Sequence, residues 1–268
     1  MVINGEEQAG AVVVGAASES AASAAGASGA VASAAGAVID QAKFGRFSEA
    51  IAASEGDRPF RLGLFGGTFD PVHIGHLLLA QFALEQHQLD GVLFVPCSYP
   101  FYKLIQNAAT GQKGPASADQ RVQMLQLAVQ DSAQFAVSRV EVDREGPSYT
   151  VDTVRILRDA CQLPDGSNRV QLFMILGADA MIDLPNWREA KTVIDAVTVL
   201  FAERPGSERD ALLRVAQAES IDALPVEAVQ LDVSSTAIRA RVASALPINH
   251  LTPESVVSYI DEHGLYRG

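Results

Sequence analysis

Two histidines separated by two residues mark the part of the sequence that is best suited to chemistry. The segment Gly66–His76 reads Gly-Gly-Thr-Phe-Asp-Pro-Val-His-Ile-Gly-His, with His73 and His76 three positions apart. On a helix, residues at this spacing project from one face. Each imidazole can donate a hydrogen bond to an oxyanion, and Gly75 between them leaves space for a ligand. The spacing therefore predicts two donors aimed at one anionic group.

The residues that precede the histidines extend this prediction to a phosphate. Gly66 and Gly67 follow an apolar run at 61–65, and without a Cβ atom they let a phosphate approach the backbone. Pro71 fixes one turn of the loop, and a helix that starts near Ile74 adds unpaired N–H groups and partial positive charge. A Gly-Gly pair alone is usually a turn, and a single histidine is usually no ligand. Their combination directly after a buried strand predicts an anion-binding loop.

A second group of side chains that suit phosphate lies near the C-terminus. Residues 233–239 read Val-Ser-Ser-Thr-Ala-Ile-Arg, which places hydroxyl groups at a predicted helix start and Arg239 in its first turn. Hydroxyl donors, helix N–H groups and a guanidinium all suit phosphate oxygens. By itself, this segment is more typical of an ordinary serine N-cap followed by a solvated arginine.

The elements that must position these groups alternate along residues 59–268. Strands are predicted at 61–65, 92–95, 135–142, 170–176 and 197–201, and helices at 74–89, 118–130, 151–160, 207–218, 235–244 and 253–263. The alternation predicts an α/β, Rossmann-like doubly wound fold, with a mainly parallel sheet and helices on both faces. Ligands of such sheets bind beyond the carboxyl ends of the strands. The polar segments that follow Phe65, Val95 and Leu176 are therefore expected to converge.

Composition narrows the choice of partners. The chain has 268 residues, with 20 Lys and Arg against 32 Asp and Glu, a net charge of −12. An acidic chain lacks the broad basic footprint of a nucleic-acid-binding protein. Cys97 and Cys161 are far apart and show no metal-ligand spacing, so we expect reduced thiols and a cytoplasmic protein. A membrane location is not expected, and the oligomeric state stays open, a homo-oligomer included.

Residues 1–58 differ in composition from the rest of the chain. Residues 9–39 are almost entirely Ala, Gly, Ser and Val, and the first basic residue is Lys43. This composition fits neither a secretory signal nor an Arg-rich transit peptide. We interpret residues 1–58 as a low-complexity extension, disordered or weakly helical, before a folded domain at 59–268. A short amphipathic helix within 43–58 is compatible with the pattern, and a targeting or docking tail is the alternative.

Taken together, the two motifs resemble those of the nucleotidyltransferase superfamily whose hallmark is His-x-Gly-His. Gly66–His76 resembles its GxFxPxHxGH signature, and Ser234–Arg239 resembles its Ser-Ser-Thr-x-Ile-Arg element. The resemblance implies a nucleotidyltransferase domain at 59–268, with His73, His76 and Arg239 as catalytic residues. The ATP-binding residues it implies are Gly66, Gly67, Thr68, Phe69, His73, Gly75, His76, Lys103, Ser234, Ser235, Thr236 and Arg239.

Further segments resemble one branch, the bacterial nicotinate-nucleotide adenylyltransferases, over roughly residues 61–267. They are the Pro-Ser-Tyr-Thr turn at 147–150, the Gly-x-Asp element at 177–179, the Pro-x-Trp element at 185–187 and the C-terminal segment 259–267. The resemblance implies a mononucleotide site formed by Tyr149, Thr150, Gly177, Asp179 and Trp187. Trp187 offers a flat face to a positively charged pyridine ring, and helix N–H groups at 149–150 suit a carboxylate. In isolation, Trp187 would be a packing aromatic and Asp179 a helix cap.

One segment departs from that branch. After the second strand the family often has Pro-Pro-His-Lys, whereas residues 100–103 here read Pro-Phe-Tyr-Lys. Lys103 is kept and Tyr102 replaces the histidine, which puts the phosphate contacts at that position in doubt. The following loop, 104–115, is expected to be mobile and to close over substrates.

The resemblance also implies a reaction, in which the adenylyl group of ATP passes to nicotinate mononucleotide in NAD biosynthesis. The products would be deamido-NAD and pyrophosphate. The attacking phosphate is already an anion, so alignment and charge stabilisation matter more than a strong base. Mg²⁺ would be carried by the ATP phosphates without a resident metal site, Asp70 being only a weak candidate ligand. The alternatives are nicotinamide mononucleotide or phosphopantetheine as acceptor, a cytidylyltransferase, and a non-catalytic nucleotide sensor.

Overall fold

A six-stranded parallel sheet lies at the centre of the computed structural model, which describes residues 30–32, 38–54, 58–98, 116–202, 209–229 and 231–267. Its strands are β3 (Phe60–Gly67), β4 (Gly91–Pro96), β5 (Phe135–Val137), β6 (Val170–Gly177), β7 (Thr198–Ala202) and β8 (Ala223–Val226). They are arranged in the order β5-β4-β3-β6-β7-β8. Two short strands, β1 (Ala30–Ala32) and β2 (Val38–Asp40), form a separate antiparallel pair.

Helices connect the strands of the sheet. They are α1 (Gln41–Phe44), α2 (Ser48–Ala53), α3 (Ile74–Gln86), α4 (Ala118–Val129), α5 (Thr150–Asp159), α6 (Ala178–Asp183), α7 (Ala190–Ile194), α8 (Arg209–Ala218), α9 (Ser235–Ala243) and α10 (Glu254–Glu262). Single 3-10 turns lie at Gly45–Phe47 and Leu184–Asn186. Local sequence fixes several ends. For example, Ser117 and Gln120 exchange side-chain and backbone hydrogen bonds in a capping box that starts α4.

Apolar side chains of the strands divide between two cores, one on each face of the sheet. In β6, Leu172, Met174 and Leu176 belong to one buried cluster, whereas Phe173 and Ile175 belong to the other. Successive strand residues point to opposite faces, so a nearly continuous apolar run requires cover on both sides. Helices supply that cover on each face. The predicted Rossmann-like, doubly wound α/β fold is confirmed.

The strand order reverses between β3 and β6, and this point opens a crevice. The two strands pair from Phe60↔Val170 as far as Leu64↔Met174. Beyond that pair, β3 continues alongside β4 to Gly67, and β6 continues alongside β7 to Gly177. In open α/β sheets, such a switch point is where ligands bind. The chain therefore forms a ligand crevice between the ends of β3 and β6.

β1 and β2 form where the sequence predicts a disordered or weakly helical extension. Two strands of the six-stranded sheet also differ from the sequence prediction. β5 ends at Val137 instead of residue 142, because Arg139 N donates to Ala42 O and Ser138 Oγ accepts from Val140 N in a turn. β8 was not predicted, since it contains Pro225 and lies at the sheet edge, where one side is left unpaired within the described sheet.

Residues 41–54 are part of the folded unit, although the sequence placed them in the extension 1–58. Phe44, Phe47 and Ile51 are buried in the same core cluster as residues of the sheet. A side chain at Gly91 would overlap the ring of Phe47, and Arg169 Nη1 donates to two carbonyl oxygens of this segment at 2.8 Å. The apolar face of this short amphipathic segment therefore packs it against the sheet. Residues 1–29, 33–37 and 55–57 of the predicted extension lie outside the described residues.

Within the described ranges, none of the helices combines the length and the apolar character that crossing a bilayer requires.

Candidate active site

β3 ends at the edge of the crevice with Gly66 and Gly67, and these two glycines serve different purposes. A Cβ atom on Gly67 would come within 2.9 Å of the Phe69 ring, which is buried beneath the loop. Phe69 itself adopts a left-handed backbone conformation with φ of 51°. Among the described residues, no atom lies within 4 Å of a Cβ atom placed on Gly66. Gly67 is therefore required by packing, whereas Gly66 keeps the crevice wall open for a ligand.

His73 and His76 meet at the start of α3, as their spacing predicts. His73 is the N-cap residue of that helix, and its backbone N–H donates to Nδ1 of His76 at 3.2 Å. This bond places the proton of a neutral His76 ring on Nε2. A Cβ atom on Gly75 would lie only 3.2 Å from His73 Nδ1. Glycine is thus the residue that fits closely over the His73 ring.

Burial keeps the His73 imidazole neutral well below pH 7. Its side chain is 8% exposed, and loss of hydration lowers its pKa from 6.5 to about 4. Its Nδ1 atom is buried and has no hydrogen-bond partner among the described residues. An unpartnered buried nitrogen costs free energy until a ligand or water binds it. A polar group that enters here would satisfy His73.

The second motif lies against the first, although about 160 residues separate them. The carbonyl groups of residues 70–72 each accept a hydrogen bond from the C-terminal part of the chain. The donors are Arg239 Nη1 at 2.7 Å, Ser235 Oγ at 2.8 Å and Thr252 Oγ1 at 2.8 Å. The bonds of Arg239 and Ser235 hold the start of α9 against the segment 68–73 after β3, called here the anion-binding loop, and the bond of Thr252 holds the segment before α10 there.

The hydroxyl groups of the second motif already form hydrogen bonds within the protein. Ser234 caps α9, since its Oγ accepts from Ala237 N at 3.2 Å. Thr236 Oγ1 accepts from Arg239 Nη2 at 3.2 Å, and Ser235 donates to the loop. The ordinary N-cap interpretation therefore holds for Ser234. The side chain of Arg239 stays 27% exposed at the end of this arrangement, where it can meet an anion.

Arg121 is a residue of the site that the sequence interpretation missed. It is 1% exposed and donates to Thr68 O at 2.8 Å, Cys97 O at 2.8 Å and Ser98 O at 3.1 Å. The arginine thus ties the chain after β3 to the chain after β4. A signal existed in the sequence, because a cation stands beside Val122 on the apolar face of a predicted helix.

Asp70 is held among several donors beneath the loop. It is 1% exposed, its Oδ1 atom accepts from Ala116 N at 3.0 Å and from Tyr266 Oη at 2.8 Å, and Oδ2 lies 3.7 Å from Arg239 Nη1. A carboxylate engaged in this way is poorly placed to ligate a metal. Across the described ranges, no group of three or more His, Cys, Asp or Glu side chains could hold an ion.

A cavity of about 390 Å³ lies in the crevice between β3 and β6. Among its lining residues are Gly66, Gly67, Thr68, Cys97, Glu141, Ser148, Thr150, Thr153, Met174 and Trp187. Two of the predicted mononucleotide residues, Thr150 and Trp187, thus line the same cavity as Gly66, Gly67 and Thr68. Tyr149 is exposed, and the Arg188 guanidinium lies 4.5 Å from the centroid of the Tyr149 ring. Asp179 is exposed in the first turn of α6. Gly177 ends β6 nearby.

Two side chains define the chemistry of this cavity wall. Trp187 is half-buried against the core, and its Nε1 donates to Asp183 Oδ2 at 3.2 Å, which orients the indole. Glu141 was missed by the sequence interpretation and had no motif to mark it. Its Oε1 accepts from Thr153 Oγ1 at 2.7 Å, and burial raises the pKa of its carboxyl group. The cavity therefore combines an aromatic face with a half-buried acid.

Lys103, Tyr102 and the loop 104–115 lie outside the described residues. The assignments made for them therefore stay predictions.

Comparison with known proteins agrees with this geometry. Residues 64–241 match the cytidylyltransferase-like family. A probable nicotinate-nucleotide adenylyltransferase of Roseiflexus sp. is 40% identical over 211 residues, which cover 77% of this chain and 98% of the relative. One of the same name from Thermus thermophilus is 39% identical over 207 residues, covering 77% of this chain and 100% of the relative.

Solved structures show the same fold. The Plasmodium falciparum nicotinic acid mononucleotide adenylyltransferase complexed with APC superimposes with a TM-score of 0.59 at 14% identity, covering 77% of this chain and 96% of that one. The same enzyme complexed with NaAD gives a TM-score of 0.58, with 77% and 97% covered. Both sequence motifs, the sheet topology and relatives matched over nearly their whole length lead to one conclusion. The chain belongs to the nicotinate-nucleotide adenylyltransferase family, within the cytidylyltransferase-like proteins.

Proposed function

We propose that this protein transfers the adenylyl group of ATP to nicotinate mononucleotide, giving deamido-NAD and pyrophosphate in NAD biosynthesis. The observation that carries the proposal is that one segment, beginning at the end of β3, connects three parts. Gly66, Gly67 and Thr68 line a cavity together with Trp187. The chain that continues from them carries the His73–His76 pair and binds Arg239 through the carbonyl of Asp70. The histidine pair and Arg239 suit a triphosphate, and the cavity suits a pyridine ring.

On the ATP side, the chain supplies donors and space. His76 can donate from Nε2, and Arg239 brings a partly exposed guanidinium to the same loop. Gly66, Gly67, Thr68 and Gly75 allow phosphates close to the backbone, and Phe69 supports the loop from below. Lys103, the hydroxyl protons of Ser234 and Thr236, whose oxygens only accept within the described structure, and the backbone N–H of Ser235 complete the proposed phosphate contacts.

On the acceptor side, Trp187 would stack on the positively charged pyridine ring. Thr150 is the first residue of α5, and Tyr149 is its N-cap residue. Backbone N–H groups at such a helix start can bind a carboxylate. Gly177 and Asp179, at the end of β6 and the start of α6, lie where a ribose could be bound.

The reaction needs alignment more than proton transfer. An oxygen of the mononucleotide phosphate forms a bond to the α-phosphorus of ATP, and the bond from that phosphorus to the bridging oxygen breaks. The electron pair leaves with pyrophosphate. Positive charge and hydrogen-bond donors at the leaving phosphates stabilise the charge that develops there, and these roles fit Arg239 and the Nε2–H group of His76 respectively. His73, neutral at pH 7, can serve only as a hydrogen-bonding group until an anion raises its pKa.

Mg²⁺ would enter with ATP as part of the substrate and offset phosphate charge. The engagement of Asp70 by Ala116, Tyr266 and Arg239 supports this route over a resident carboxylate site. We further propose a cytoplasmic protein without a nucleic-acid partner, which is consistent with the net charge of −12.

Pyrophosphate release tests the proposal. Purified protein with ATP and Mg²⁺ is given nicotinate mononucleotide, nicotinamide mononucleotide or phosphopantetheine, and release is followed against a no-acceptor control. We expect the fastest release with nicotinate mononucleotide. Binding of ATP without release for any acceptor would support a non-catalytic nucleotide sensor instead. Release only with phosphopantetheine would move the acceptor assignment to that branch.

A further inference from the structure

Tyr266, near the C-terminus, contacts Asp70 in the anion-binding loop. Its hydroxyl donates to Oδ1 of Asp70 at 2.8 Å, across 196 positions of sequence. Burial and the nearby Asp70 carboxylate raise the pKa of this hydroxyl, so it keeps its proton and acts as a donor. The residue adopts a left-handed φ of 61°. A non-glycine residue holds such a conformation where its surroundings fix it.

The two oxygens of Asp70 are used differently. Oδ1 receives both neutral donors, Ala116 N and Tyr266 Oη, whereas Oδ2 lies 3.7 Å from Arg239 Nη1. The guanidinium makes its short bond, 2.7 Å, to the backbone carbonyl of Asp70 instead. The carboxylate is therefore close enough to orient Arg239 electrostatically but does not form the tight two-point ion pair that arginine and carboxylate prefer.

We propose that Tyr266 is a positioning residue for adenylyl transfer, which holds the Asp70 carboxylate so that Arg239 stays available to the triphosphate. This inference rests on the proposed function, in which Arg239 binds phosphate. Without the tyrosine hydroxyl, Oδ1 loses one of its two donors, and the carboxylate turns towards the strongest donor beside it. That donor is Arg239, which then forms an ion pair with Asp70 and is less available to the triphosphate.

The direct test replaces one hydroxyl. Y266F is compared with the wild type and with Y259F, which makes the same change seven residues earlier in the same apolar cluster. We expect kcat/KM for ATP to fall about tenfold in Y266F, the size expected from one hydrogen bond to a charged group. The KM for the mononucleotide should stay within about twofold, and Y259F should behave as the wild type. Wild-type values for Y266F, folded by circular dichroism, would overturn the inference.

A double-mutant cycle separates positioning from simple stabilisation. If Tyr266 acts through Arg239, adding Y266F to R239Q should lower kcat/KM for ATP no further. If the two losses multiply, Tyr266 does not act through Arg239 and the inference is wrong. Should Y266F fail to fold, Y266H takes its place, because histidine keeps a ring and a hydrogen-bond donor. Y266H should then retain kcat/KM within about threefold. A tenfold loss in Y266H that also appears when Y266H is added to R239Q would contradict the inference.

A binding measurement keeps this inference distinct from the proposed function. A non-hydrolysable ATP analogue is titrated into the wild type, Y266F and Y259F. We expect weaker binding of several-fold in Y266F alone. If the wild type releases no pyrophosphate with any acceptor, the proposed function fails, while this titration still tests the role of Tyr266. Equal affinity in all three proteins would remove that role.

Discussion

The imidazole rings of His73 and His76 are stacked, with their centroids 3.6 Å apart and their planes 23° apart. One ring is buried, with an Nδ1 atom that has no partner among the described residues, whereas the other has its Nδ1 atom bound to the backbone. Two protonated rings at this distance would repel each other. The pair is thus built to hold one neutral ring inside and to present a directed N–H group from the other.

Loss of either histidine should reduce catalysis without unfolding the protein. We expect His76→Ala and His73→Ala each to lower turnover on the order of 10²–10³, because each removes a group that meets developing phosphate charge. Pyrophosphate release under saturating substrates measures this effect. His263→Ala is the matched control, since that histidine is exposed on the C-terminal helix end. A folded double variant with the wild-type rate would refute the role of the pair.

Burial of His73 should make stability depend on pH. Its folded pKa of about 4 lies below the unfolded value of 6.5, so the unfolded chain binds the proton first as pH falls. The free energy of unfolding should be unaffected above about pH 6.5 and should decline towards pH 4, by at most about 3 kcal/mol from this group. Urea titrations at pH 7 and pH 4.5 should show a smaller decline in His73→Gln than in His263→Gln. Equal declines would exclude His73 as the source.

The two glycines at the end of β3 should respond differently to alanine. Gly67→Ala places a methyl group against the buried Phe69 ring and should lower the free energy of unfolding by about 1–3 kcal/mol. Gly66→Ala meets no atom of the described chain within 4 Å, so stability should hardly change. We expect it instead to weaken binding of an ATP analogue about tenfold. Thermal unfolding and titration of both variants give the comparison, and the reverse pattern would contradict the site geometry.

Trp187 should report and support acceptor binding. It is the one tryptophan in the sequence, so its fluorescence should change with nicotinate mononucleotide and stay constant with an ATP analogue. Trp187→Ala should raise the KM for the mononucleotide about tenfold, the size of a desolvated cation–π contact, and leave the KM for ATP unchanged. Trp187→Phe should lose less. An equal rise of both KM values would count against stacking.

Truncation tests where the folded unit begins. Removing residues 1–58 deletes Phe44, Phe47 and Ile51 from the core, and each buried apolar side chain contributes about 1.5–3 kcal/mol. That protein should melt well below the full-length chain. Removing only residues 1–29 keeps these side chains and should leave the melting temperature unchanged. Identical melting of both truncations would return the boundary to residue 59.

Much of the arrangement could be read from the sequence because it is local. The apolar runs that became β3, β4, β6 and β7 end where glycine, proline or polar residues follow, and parallel strands bring those ends to one edge. The helical spacing of apolar residues in 74–89 predicts α3 and thereby places His73 and His76 at its start. The end of β5 and the whole of β8 were not predicted, because a turn held by long-range bonds and an edge strand with proline leave weak local patterns.

The sequence by itself determined the family, the alternating α/β order and the residues proposed to carry phosphate chemistry, since each depends on neighbours within a few positions. The tertiary structure decided the rest. It buried His73 and lowered its pKa, placed Arg121 among carbonyl groups, and joined Tyr266, Asp70 and Arg239 in one arrangement. Desolvation and hydrogen bonds between segments far apart in the chain depend on packing in space, and no local pattern encodes them.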